Sequence, residues 1–258
     1  QKRRNGSVDF TQTQLRRVFN NARWDQGGRF YGGWWQRIIN KEEIGEDYRK
    51  NITINDQPIY EADWKGLHIN MLYTMKKLPM PEGDVYYLDG YSNDFIFRKF
   101  VKRMLLVMVN ADSREKARQA LQAEVSYEKK LELPEEIGST CQETIYPVID
   151  AFESKHAKIA DYFCTGAGID LQFEESQMAE QIMLHFAKQG IPCLPVHDSF
   201  IVENKHRNEL LFMMKKVFWD RYGQDCGIEI DEPIMIENID WVFQNYHEGR
   251  EGSDTKKM

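Results

Sequence analysis

Leu194-Pro195-Val196-His197-Asp198-Ser199-Phe200-Ile201-Val202 is a pair of short apolar runs that meet at a polar dipeptide, His197-Asp198. Short apolar runs broken by turn residues predict two strands and a tight turn, so Cys193–Val202 reads as a hairpin with a carboxylate at its tip. A second acid stands at the end of an apolar run in Ile59-Tyr60-Glu61-Ala62-Asp63, and Trp64-Lys65-Gly66-Leu67-His68 follows it. Ile52–Ile54 and Ile59–Asp63 read as strands joined by a turn at Asn55-Asp56. The chain therefore predicts short strands that carry Asp63 and Asp198 at their ends.

Working outward, the remaining segments read mostly as helices. Leu67–Met75 has a helical pattern, and the turn-rich Pro79–Gly83 separates it from a long helix at Asp94–Val109. Asp112-Ser113-Arg114-Glu115 has the form of a capping box that opens another helix. Helices are also expected over Glu143–Phe163 and over Phe173–Gln189. In the latter, Met178, Ile182 and Phe186 keep the helical period and Gly190 supplies the stop. Asn208–Tyr222 is a last amphipathic helix. Toward the N-terminus, Thr11–Asn20 reads as a short helix, and the aromatic, glycine-punctuated Gly28–Ile38 as a strand with close backbone approaches. The sum is an α+β fold: a small antiparallel sheet backed by helices.

Composition narrows the function classes. Of 258 residues, 41% are hydrophobic and 29% charged, which excludes a disordered chain. The longest apolar runs, such as Met104–Val109, fall far short of the ~20 residues of a membrane span, so no membrane partner is expected. The basic start Gln1-Lys2-Arg3-Arg4 is followed by no apolar stretch and is not read as a signal peptide. Cys141, Cys164, Cys193 and Cys226 form no C-x-x-C pair, which points to a reduced, cytoplasmic protein. The net charge of −7 argues against a protein that coats nucleic acid. It leaves room for local basic patches. Arg16, Arg17, Arg23, Arg29 and Arg37 cluster in one segment, and Arg98, Lys99, Lys102, Arg103, Arg114, Lys116 and Arg118 in another.

The chemistry that two rigid carboxylates suit is metal binding. Carboxylates from adjacent strands can hold two Mg²⁺ ions about 3.5–4 Å apart, which stabilise the attacking and leaving oxygens of a phosphoryl transfer. Each acid also has a plain reading: Asp63 as the N-cap of the next helix, and Asp198 as a hairpin turn residue. Arg98 and Lys102, four apart on the long helix, project from one face and can clamp a triphosphate. Tyr31, Trp34 and Trp35 are candidates for stacking on bases, with core packing the competing reading. His185 and His206 are read as surface or structural residues.

Strand–Asp–helix, then R-x-x-x-K helix, then His-Asp hairpin is the order of motifs A, B and C in right-hand polymerases. The chain resembles family A DNA polymerases and single-subunit phage-type RNA polymerases. Pro195-Val196-His197-Asp198-Ser199-Phe200 is similar to motif C of the phage-type enzymes, where family A DNA polymerases usually carry Glu in place of Ser199. Asp63-Trp64-Lys65-Gly66-Leu67-His68 resembles motif A, and Gly28-Arg29-Phe30-Tyr31 lies where both groups carry a template- or primer-contacting Gly-Arg segment. The resemblance spans about Gly28 to Val202. It implies a palm over 28–76 and 166–247, a fingers-like helical insertion over 77–165, an N-terminal helical segment over 1–27 and a flexible tail over 248–258.

The resemblance also implies roles. Asp63 and Asp198 would bind two Mg²⁺ ions, with Mn²⁺ as a substitute. Lys102 would act in catalysis and, with Arg98, hold the triphosphate. Leu106 stands near where the family has an aromatic platform for the incoming base. His68, five residues after Asp63, would lie against the sugar 2′ position and favour deoxynucleotides. Arg29, Tyr31 and His197 would contact nucleic acid. The implied activity is that of a DNA polymerase acting on primer–template and nucleoside triphosphates, in a phage or other mobile element, with accessory replication proteins as partners. The alternatives are an RNA polymerase or primase, toward which His-Asp-Ser pulls, and a non-catalytic nucleic-acid-binding replication protein on a palm fold. The family's Tyr-Gly at the end of motif B is absent.

Overall fold

A computed structural model describes residues 8–38, 48–126 and 141–229. In chain order the elements are β1 (Arg16–Phe19), β2 (Gly27–Tyr31), β3 (Thr53–Ile54), β4 (Gln57–Trp64), α1 (Leu67–Met75), α2 (Phe95–Asn110), α3 (Arg114–Ser126), α4 (Cys141–Lys155), α5 (Gly168–Ala187), β5 (Leu194–Val196), β6 (Ser199–Glu203), α6 (Arg207–Tyr222) and β7 (Ile228–Glu229). The fold is α+β with small antiparallel sheets. The chain forms two compact units, Gln1–Leu67 with Gln172–Met258, and His68–Leu171. None of the helices described is long and apolar enough to cross a membrane.

In the first unit the main sheet runs β3-β4-β6-β5, with β7 also pairing β4. The β3–β4 connection is the expected two-residue turn. Asn55 and Asp56 have φ of 54° and 58°, the left-handed pair that a type I′ hairpin requires and that Asn and Asp tolerate. Side chains alternate across β4. Ala62 and Trp64 are buried on one face, where Trp64 meets Phe200 edge-on at 5.7 Å and α6 lies against β4 and β6. Ile201, on the opposite face of β6, packs with Trp35, Ile52, Ile59, Leu194 and Val196.

Thr11–Asn20 is not helical. Arg16–Phe19 forms a strand paired with β2, and burial alternates along it with the period of a strand. Its residues are β-branched or aromatic at Val18 and Phe19, and β2 offers a ladder that an isolated short helix lacks. The pairing slips between Val18↔Arg29 and Phe19↔Gly27, which leaves Gly28 as a bulge with φ +78°. Glycine is required there twice over, because a Cβ would also lie 2.8 Å from Ser176 Oγ. The strand expected over Gly28–Ile38 stops at Tyr31. Gly32, at φ +123°, breaks it, and a 3-10 turn at Trp34–Arg37 tucks Trp35 into the core.

The second unit is helical. Asp94 caps α2 by accepting from Phe97 N at 2.8 Å, and Ser113 caps α3 through Lys116 N at 3.3 Å. Phe97, Phe100, Val101, Met104, Leu105, Met108 and Val109 are buried along α2. The expected Glu143–Phe163 helix divides into α4 and a 3-10 segment, Ala157–Tyr162. The fully buried His156 sits at that junction. Its Nε2 donates to Val85 O at 2.9 Å, so Nδ1 is the acceptor from the Tyr73 hydroxyl at 3.1 Å.

Burial, with Lys155 adding repulsion, pushes the His156 pKa down to about 4. The unfolded chain takes up this proton near pH 6.5, before the folded one does. The stability held by neutral His156 is therefore complete above about pH 6.5 and drains away as pH falls toward 4. Chemical denaturation at pH 7 and pH 4.5 is expected to show the native protein losing roughly 2–3 kcal/mol more than His156→Gln between the two pH values.

Candidate functional site

Sheet register places the two acids. Asp63 on β4 pairs with Ser199 on β6, and Asp198 immediately precedes Ser199 in the β5–β6 turn. Directly opposed antiparallel residues have Cα atoms about 4.5–5.5 Å apart, so Asp63 lies across from Ser199 and next to the turn that carries Asp198, at one end of the sheet. Asp63 lies inside β4, and the next helix begins only at Leu67, so Asp63 is a strand residue and not that helix's N-cap. The turn is closed by His197 in a left-handed conformation, φ 59°.

Two charged pairs brace this end of the sheet. Glu61, two residues before Asp63 and on the same strand face, accepts from Ser199 Oγ at 2.5 Å and from Arg49 Nη1 at 2.6 Å. On the other side, Arg29 of β2 makes a forked pair with Glu175 of α5, Nε–Oε1 at 2.8 Å and Nη2–Oε2 at 2.5 Å. Glu175 is 1% exposed and the Arg29 side chain 17%. Burial works against the Arg29 charge, but the Glu175 carboxylate outweighs it and Asp198 adds to it, so the guanidinium is held protonated more firmly than usual. The crowding of atoms around the His197 ring lowers its pKa, and the positive charge of Arg29 adds to this while Glu175 and Asp198 oppose it. Tyr31 meets the His197 ring edge-on at 5.5 Å.

The first unit thus brings together Arg29, Tyr31, Asp63, His197 and Asp198. His68, Arg98, Lys102 and Leu106, also singled out from the sequence, belong to the second unit. His68 is half-buried on the first turn of α1. Arg98, Lys102 and Leu106 follow one stripe of α2 outside its buried side. Arg98 is already engaged: its Nε lies 2.6 Å from Asp84 Oδ2 and its guanidinium sits 5.0 Å above the Tyr86 ring. Lys102 is exposed and makes no ion pair among the described residues. Trp35 is a core residue whose Nε1 donates to Pro195 O at 2.9 Å, and Trp34 is half-buried against Phe10. His185 and His206 both face Glu209, at 2.7 and 3.5 Å.

Arg49, Glu61, Glu175 and Ser199 complete the site; the sequence reading notes Ser199 only as the motif C residue that replaces an acid and gives the other three no role. Two left a signal. Glu61 stands at the i−2 position on the strand face of Asp63. Glu175 lies on the same helical stripe as the buried Leu171, Met178, Ala179 and Ile182, and an acid on a buried stripe requires a partner. Arg49 and Ser199 are fixed only by tertiary placement.

Two neighbouring carboxylates suit Mg²⁺, which accepts one or two carboxylates and fills its remaining positions with water and substrate phosphate oxygens. Among the described residues no group of three or more His, Cys, Asp or Glu side chains converges into a closed metal cage. The chain matches no family model and no curated protein.

Proposed function

We propose that the protein is a template-directed nucleotidyltransferase, a DNA polymerase built on a palm with a helical fingers region. The observation that carries this reading is the pairing of Asp63 with Ser199, which brings Asp63 next to the turn that carries Asp198. On this reading Asp63 and Asp198 hold Mg²⁺. Bound there, the ions supply charge compensation for the phosphates and lower the pKa of the primer 3′-hydroxyl.

The chain's own residues do the rest. Arg29, with its charge secured by Glu175, meets nucleic-acid phosphates, and Tyr31 and His197 contact the primer end. Lys102 and Arg98 neutralise the departing pyrophosphate, and Leu106 packs against the incoming base. Arg98 must exchange Asp84 for phosphate. That exchange costs little, because an exposed ion pair is worth about 0–1 kcal/mol.

His68 gives the reading its sugar preference. An imidazole and a 2′-hydroxyl crowded into one packed site cost about 1–3 kcal/mol, or roughly 5- to 150-fold discrimination against ribonucleotides. Primer–template extension with dNTPs and NTPs in parallel tests this. The native protein is expected to prefer dNTPs, and His68→Gly to raise ribonucleotide incorporation while dNTP use stays largely intact. Equal use of both by the native protein favours the second reading, an RNA polymerase or primase. The observation on that side is Ser199 in place of an acid, with its hydroxyl bound to Glu61.

A further inference from the structure

Trp24 is the most exposed of the large hydrophobic residues described, at 81%, in the loop that joins β1 and β2. It does not stand alone. Its ring meets Phe19 edge-on at 4.9 Å. The Arg17 guanidinium lies 5.0 Å above Phe19 and 5.1 Å above Phe30, its cross-strand partner. One face of the hairpin therefore carries a continuous row, Trp24–Phe19–Arg17–Phe30, that ends at the loop with an open indole.

At its Arg17 end the row packs on α5, and only its Trp24 end is open. Arg17 Nε donates to Gly28 O at 2.8 Å, Nη2 to Ser176 Oγ at 3.0 Å, and Nη1 pairs with Glu180 at 3.0 Å. Arg23, more than half exposed, flanks Trp24 at the tip beside Asp25. Residues 8–38 hold Arg16, Arg17, Arg23, Arg29 and Arg37 against Asp9 and Asp25, in a chain whose total charge is −7. An exposed indole backed by two phenyl rings and the fixed Arg17 guanidinium, in a segment with five Arg to two Asp, matches an unpaired base on a phosphate backbone. An apolar protein partner would call for a contiguous apolar patch, and this one is rimmed by Asn20, Asn21, Arg23 and Gln26.

We infer that the β1–β2 hairpin is a docking surface for single-stranded nucleic acid, with Trp24 stacking on an unpaired base beyond the Asp63–Asp198 site. The inference rests on reading the chain as one that handles nucleic acid, and the test separates the two. Fluorescence anisotropy of the full chain is measured without Mg²⁺ on a labelled dT 20-mer, the matching U 20-mer, an abasic strand of the same length and a 20-base-pair duplex. The background is Asp63→Asn/Asp198→Asn, so strand binding is read apart from catalysis.

Trp24→Ala is expected to weaken both base-bearing strands roughly tenfold or more and to leave the abasic strand unchanged. Trp24→Phe is expected to restore most of the loss. Trp24 lies outside the core, so neither substitution threatens folding, and an unchanged melting temperature confirms this. Equal loss on base-bearing and abasic strands, no loss on either, or a duplex bound with the same dependence on Trp24 would overturn the inference. So would a Trp24-dependent change in self-association with strand binding intact, which makes the hairpin a protein contact. Strand binding that behaves as expected in a protein that extends no primer would count against nucleotidyl transfer and leave the docking surface standing.

Discussion

Asp63→Asn and Asp198→Asn will each lower primer extension on the order of a thousandfold, with the fold unchanged. Each substitution keeps side-chain shape and removes one of the two charges that would hold Mg²⁺ on the proposed reading. The electrostatic support a metal gives a phosphoryl transfer is worth several kcal/mol, and about 4 kcal/mol is a thousandfold in rate. Asp63 keeps its register through the backbone and Asp198 lies in the turn outside the ladder, so the sheet is retained. The two substitutions will differ in one respect. Asp198 also acts on Arg29 and His197, so Asp198→Asn will lower the His197 pKa further. Extension rates at saturating nucleotide, melting temperature and an NMR titration of His197 together check all three statements. Full activity in either variant would remove the metal assignment.

Glu175→Ala will be the most destabilising substitution among the site residues, at about 3 kcal/mol. Removing one partner of a buried pair leaves the other charge without compensation, a loss of roughly 3–5 kcal/mol, and the partial exposure of Arg29 sets the value at the low end. The pair itself need not be a net source of stability, because desolvating both charges offsets their attraction. The double substitution Arg29→Met/Glu175→Leu is therefore expected to be far less destabilising than Glu175→Ala alone. Urea denaturation of the three proteins measures this. Equal stability of Glu175→Ala and the native protein would mean that the fork bears no strain on removal.

Much of the fold was legible because its periodicities are local. The Leu67–Met75 helix, the Asn55-Asp56 turn and the hairpin at His197-Asp198 coincide with the elements found. Thr11–Asn20 reads as a helix in sequence because a four-residue strand carries too few alternations to outweigh helical spacing, and its pairing with β2 depends on the Gly28 bulge. At the site, Asp63 and Asp198 stood out because each closes an apolar run. Arg49 and Ser199 bind Glu61 only once distant segments meet, and no local pattern encodes that. Glu175 was hidden for a different reason: an acid on a helix reads as solvated until its neighbours on the stripe are seen to be buried. The tail from Glu248 and the start at Gln1-Lys2-Arg3-Arg4 lie outside the described residues.

Single-nucleotide incorporation tests the central claim most directly. The full chain is given a primer–template with one defined templating base, Mg²⁺, and each of the four dNTPs separately. The account predicts that the complementary nucleotide alone adds to the primer, with one pyrophosphate released per addition, and that both signals vanish with EDTA. Addition without regard to the template, or no addition by folded protein that binds the primer–template, would contradict it.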